Sequence, residues 1–296
     1  MIIAKERARC PAHNSILEVK NDIMIDEKEK KIRLEYAAFY LSKTMDIIMD
    51  NYYRANELSY DTLFNAAIKG MMTVLDKYSC YYTTNELKAD LITVKTEDPI
   101  STYCHDDTTW VVSIKYFNDQ TVLRLKDAFS KMLNKKINKM IVDLRGNPGG
   151  LINPLVEICR LFSAKGIMFY CVDNLNKQVY NNTGHNAIEV NRLAVLVDQN
   201  TKSAAEILAM VLQDNGGIIF GKNTYGKGVA QKTFNIYGEG VLSLTTEEVF
   251  RPNGECINGI GIKPDIIVED DEGCDEGDPV FKKALEVLLS NNNDYE

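Results

Sequence analysis

Ser203 stands three residues before Glu206 in TKSAAEILA, and Lys227 sits between two glycines in GKNTYGKGVAQ. A serine hydroxyl paired with a lysine amine is a recognised variant of the nucleophile and base logic of serine hydrolases. Lysine can serve as the base only when neutral, so it must be buried against apolar neighbours that depress a pKa starting near 10.4. Tyr225, Val229 and the strand around them are the neighbours placed to do this. Both residues also admit plainer roles. Ser203 and Glu206 fit a capping box, in which serine and glutamate satisfy free N–H groups at the start of a helix. Lys227 could be a solvated charge at a strand edge.

The spacing of Gly221, Gly226 and Lys227 also matches a phosphate-binding loop, but Gly228 replaces the Ser or Thr that would hold Mg²⁺. The following VAQKTFNIY reads as a strand instead of the helix such a loop requires. A third element is DLRGNPGGL, between a buried strand and a helix. Gly149 and Gly150 would let the backbone approach a ligand and aim an N–H into a cleft, or would simply make a tight turn.

These residues need a scaffold, and the chain of 296 residues, 45% hydrophobic, has ample material for one. Residues 1–30 carry no clear period and read as a loosely ordered lead-in. Residues 31–90 show helical spacing (Leu34, Ala38, Leu41, Met45, Ile48) broken near NYYRANELSYD, which predicts a small helical domain. Residues 91–108 read as a linker. From 109 to 296 strands and helices alternate: WVVSIKYF, TVLRLKDAFSKMLNKK, KMIVDLR, PLVEICRLFSA, RLAVLVD, SAAEILAMVLQD and GGIIFG. Such order implies an α/β layered core with parallel pairing, closed by the helix DPVFKKALEVLL.

A net charge of −8 argues against nucleic acid or an anionic membrane surface as partner. The seven cysteines form no C-x-x-C pair, and His13, His105 and His185 are scattered, so no metal site is indicated. No apolar run is long enough for a membrane span and the first residues lack a secretory pattern, so a cytoplasmic location is expected. A secreted or cell-envelope location is the alternative if a signal has been removed.

Four ordered blocks, AIKGMMTVLDKYSCYYTTNEL, KMIVDLRGNPGGL, TKSAAEILAMVLQDNGGIIFGKNTYGKGVAQ and RPNGECINGIGIKPDIIVE, resemble the C-terminal processing (tail-specific) proteases, the S41-type serine peptidases. The resemblance covers residues 31–95 and 109–290. It implies endopeptidase action through a Ser-Lys dyad on a core of the ClpP and crotonase type, with no metal or organic cofactor. By motif, Ser203 matches the nucleophile, Lys227 the base, and Gln231 the residue that positions the lysine. The backbone N–H groups of Gly149 and Ala204 match the oxyanion hole. Thr201 and Ala205 stand where the family usually has serines, and the interval from Ser203 to Lys227 is slightly short. The PDZ domain that relatives carry has no room in residues 91–108. A polypeptide substrate is the implied partner, with an adaptor or presenting protein and self-association also admitted. The rival reading is a catalytically inactive peptide-binding scaffold of the same fold.

Overall fold

The computed structural model describes residues 26–87, 98–132, 135, 137–163, 166–183, 190–236, 240–269 and 277–290. The chain divides into two compact units, 1–95 with 231–245, and 96–230 with 246–296. The lead-in expected over 1–30 therefore lies mostly outside the described residues.

The first unit opens with α1 (Glu27–Asn51), which begins inside the stretch read as lead-in and buries only Met45. A short 3₁₀ turn (Ala55–Glu57) leads to α2 (Tyr60–Met72). Ser59 caps α2 by accepting the Thr62 N–H at 3.1 Å. The helical region is as expected, but strand β1 (Cys80–Thr83) joins it and pairs antiparallel with Gly240–Ser243.

The second unit is built on a sheet that begins with β2 (Ile100–Cys104) and β3 (Thr109–Ile114), an antiparallel pair. Within residues 91–108, read as a linker, Ile100–Cys104 form a strand instead. ISTYC is an edge strand, and its turn is closed by Asp106, which accepts the Thr108 and Thr109 N–H groups at 2.7 Å each. Those hydrogen bonds, the Thr108 N–H first, hold the Asp106 carboxyl down at about 2. After α3 (Asp119–Met132) come β4 (Lys139–Asp143) and α4 (Ile152–Phe162). The hairpin β5 (Gly166–Val172) and β6 (Lys177–Asn182) follows, which the sequence did not announce.

Next are β7 (Arg192–Val197), α5 (Ala204–Asp214) and β8 (Ile218–Gly221). Strands β9 (Val229–Ile236) and β10 (Gly240–Phe250) follow, then β11 (Ile266–Ile267) and α6 (Pro279–Leu289). The parallel order β11-β8-β7-β4-β3 carries β2 at its edge. Within the second unit the end of β10 pairs with β5.

Alternation along these strands makes three layers. Val112, Val142, Val195 and Ile219 face a core shared with α3, α4 and α5. Val111, Ile141, Leu196 and Phe220 face the opposite side, covered by Val280, Ala284, Val287 and Leu288 of α6. A parallel sheet covered on both faces reads as continuous apolar runs, which is why KMIVD and RLAVLV were legible. The loops at the carboxyl ends of β4 and β7 are thereby brought side by side.

Candidate active site

Loop 198–202, after β7, is fastened to the loop after β4. Asp198 Oδ1 accepts the Gly146 N–H at 3.0 Å and the Thr201 N–H at 2.9 Å. The Thr201 hydroxyl donates to the Leu144 carbonyl at 3.0 Å, and the Lys202 N–H donates to the Asn147 carbonyl at 2.9 Å. Arg145 braces the β4 side, forking between Asp143 at 2.7 Å and Asp278 at 2.7 Å. A rigid floor thus lies under the residue that follows Lys202.

That residue is Ser203, with φ 54° and ψ −119°, and it alone among the described non-glycine residues has positive φ. Holding a side-chain-bearing residue there costs on the order of 1–3 kcal/mol, and such strain gathers at functional sites. Placed between a buried strand and a buried helix, it resembles the elbow that lifts a nucleophilic serine above a sheet. The next N–H, of Ala204, belongs to the first turn of α5, where N–H groups lack intrahelical partners and the helix dipole favours negative charge.

Gly149 comes from the loop after β4 and packs on this turn. A Cβ placed on it would stand 2.9 Å from Ser203 Cβ and 3.1 Å from the Ala204 nitrogen, and its φ is +101°. The space that a side chain would fill is the space beside the serine and the Ala204 N–H. The Gly149 N–H itself donates to Asn147 Oδ1 at 2.8 Å. Asn147 is fully buried, and its amide donates to the Ile114 carbonyl at 2.8 Å. The expected oxyanion donor is thus engaged within its own loop, a partner that the sequence did not reveal.

Lys227 is half-buried on the loop between β8 and β9. A strand follows the loop, as the case against a phosphate-binding loop required. The loop is anchored by one fully buried carboxylate, Glu206. Its Oε2 accepts the Ser203 N–H at 2.9 Å and the Lys227 N–H at 2.8 Å. Its Oε1 accepts the Gly226 N–H at 2.6 Å and the Thr224 hydroxyl at 2.5 Å. The Glu206 half of the expected capping box is therefore formed, but it is one bond of four. The backbones of the serine and the lysine meet on a single oxygen atom.

One expected neighbour stands differently. Tyr225, expected to help bury the lysine, is 42% exposed, with the Lys202 ammonium 4.5 Å from its ring centroid, while Val229 is buried. Gln231 belongs to the first unit, where its amide donates to the Tyr78 carbonyl at 2.8 Å. His13 and His185 lie outside the described residues, and His105 stacks edge-on against Phe281.

The model of peptidase family S41 matches residues 109–268, more than half of the chain. The chain belongs to peptidase family S41. The carboxyl-terminal-processing peptidase 2 of Arabidopsis thaliana chloroplasts is 32% identical over 157 residues, covering 52% of this chain and 30% of the relative. A probable CtpA-like serine protease of Staphylococcus aureus (strain N315) is 30% identical over 188 residues, covering 62% of this chain and 37% of the relative. The chain thus spans about a third of these relatives' length. The photosystem II D1 C-terminal processing protease superposes with a TM-score of 0.55 at 25% identity, over 66% of this chain and 54% of that one. A lipoprotein from Streptococcus agalactiae shares the fold, with a TM-score of 0.64 at 16% identity over 84% of this chain and 94% of that one.

Gly149→Ala tests the space beside Ser203 in this S41 chain. Alanine would meet the strained φ and the Lys202 carbonyl at 2.9 Å while filling the site beside the Ala204 N–H. Peptidase activity per folded molecule should fall on the order of 10²–10³-fold, as for loss of an oxyanion donor. Rates normalised to the folded fraction from circular dichroism check this, and retention of a third of the activity would show that the space is not used.

Proposed function

We propose that this chain is a serine endopeptidase that hydrolyses peptide bonds in flexible or C-terminal segments through a Ser-Lys dyad. The observation that supports the reading is the shared Glu206 oxygen, which accepts the backbone N–H groups of both the strained serine and the half-buried lysine at the start of a buried helix. A scaffold that only bound peptide would have no use for a strained serine held against a lysine loop.

In this mechanism Ser203 Oγ attacks the scissile carbonyl carbon while the neutral Lys227 amine takes the hydroxyl proton. The carbonyl electrons move to oxygen, where the Ala204 N–H stabilises the charge. The Gly149 N–H joins it by exchanging Asn147 for the oxyanion. Collapse expels the amine, which receives the proton back from Lys227, and water then releases the acyl group by the same steps in reverse. Gln231 is assigned the positioning of Lys227, and an extended polypeptide is the substrate class. Among the described residues no helix is long and apolar enough to cross a membrane.

Incubation with a panel of unfolded proteins and tagged peptides tests the reading, with products identified by mass spectrometry. New internal cleavage products, absent after treatment with a serine-reactive fluorophosphonate, are expected. Binding of the same peptides without any cleavage would favour the scaffold.

A further inference from the structure

A helix cap needs a carboxylate for the N-cap N–H alone, yet three of the four donors on Glu206 come from the lysine loop. The carboxylate is completely buried, and burying a charge costs several kcal/mol unless it is fully hydrogen-bonded. Among the described residues no lysine or arginine pairs with it, so its charge is met only by N–H and O–H dipoles, at 2.5–2.9 Å. Thr224 carries the linkage further. Its hydroxyl donates to Glu206 and accepts the Ile262 N–H at 2.7 Å, while its own N–H donates to the Ile262 carbonyl at 3.2 Å. Thr224 is buried, and its hydroxyl is used in both directions.

We propose that Glu206 is the positioning residue of the site, with Thr224 as its hydroxyl anchor, and that one buried carboxylate sets the separation of Ser203 and Lys227. The proposal rests on the Ser-Lys reading above. Both backbone nitrogens are one hydrogen bond from the same oxygen, so neither residue can drift without stretching a charge-assisted bond in a dry environment. Misplacement of a base by about 1 Å can cost on the order of 10²-fold in rate, so the effect belongs in the chemical step and not in binding.

The test uses the full chain and a fluorophosphonate probe, whose attachment to Ser203 is followed by intact mass. The rate and the concentration dependence are resolved into a maximal labelling rate and a half-saturating concentration. Thr224→Val removes the hydroxyl at nearly constant volume and should lower the maximal rate by about 10–50-fold, with half-saturation within about twofold. Thr224→Ser restores the hydroxyl and should recover most of the rate. Glu206→Gln places amide hydrogens against donors and should lose more than about 10²-fold if it folds. Thermal unfolding of every variant separates folding from rate. A Thr224→Val protein that labels at the wild-type rate per folded molecule overturns the proposal, as does a loss that Thr224→Ser does not recover. Wild type that fails to label, or Ser203→Ala that labels equally fast, would instead overturn the Ser-Lys reading.

Discussion

Replacing Ser203 by alanine should lower peptide-bond hydrolysis by on the order of 10⁴-fold while leaving the molecule folded, because the proposed nucleophile and base act as a unit. The substitution removes Oγ alone. Alanine keeps the Cβ against which Gly149 packs, and keeps the N–H that Glu206 accepts at 2.9 Å. Backbone strain at φ 54° is the same for either residue, so the strain does not confound the comparison. Any penalty from losing the serine at the helix start is about 1 kcal/mol. Cleavage products quantified by mass spectrometry, beside a thermal unfolding curve, give the result. Activity above a tenth of wild type in a pure, folded variant would remove Ser203 from the chemistry.

How far such a site could be read from the sequence depends on how local each feature is. The β4 and β7 strands were legible because KMIVD and RLAVLV are apolar on both faces, as burial between helical layers demands. The Ser203 turn was legible as a helix start because Ser-x-x-Glu is a local pattern. Strand β6, KQVYNN, was not, since its residues are mostly exposed and only its pairing with β5 makes it a strand. The edge strand β2 was read as linker for a similar reason, its outer residues being polar and its partner lying beyond a turn. Glu206 was read as a cap because its other three donors arrive from a loop that the β8 strand returns to the helix start. The Asn147 contact with Gly149 lies within one short loop, an asparagine side chain accepting the N–H two residues on, which is one of several turns that Asn-Pro-Gly allows.

Replacing Lys227 by arginine should abolish turnover at every accessible pH, with a loss on the order of 10³-fold or more, although the reach and most of the side-chain bulk are kept. The proposed base must offer a lone pair to the Ser203 proton, and a guanidinium remains protonated throughout the usual range. The backbone anchor is indifferent to the exchange, since the N–H that Glu206 accepts at 2.8 Å belongs to any residue but proline. The wild type carries the complementary signature. In the proposed mechanism the active form is the deprotonated amine, so kcat/KM should fall about tenfold per pH unit below the lysine's pKa and level off above it. The sign is opposite to that of a mechanism needing an ammonium group, which would gain activity as pH falls. Profiles of kcat/KM against pH for the wild type, beside single-pH rates for Lys227→Arg and Lys227→Met, make the comparison. An arginine variant retaining a tenth of the activity, or a wild-type profile that rises toward acid, would assign the base to another group.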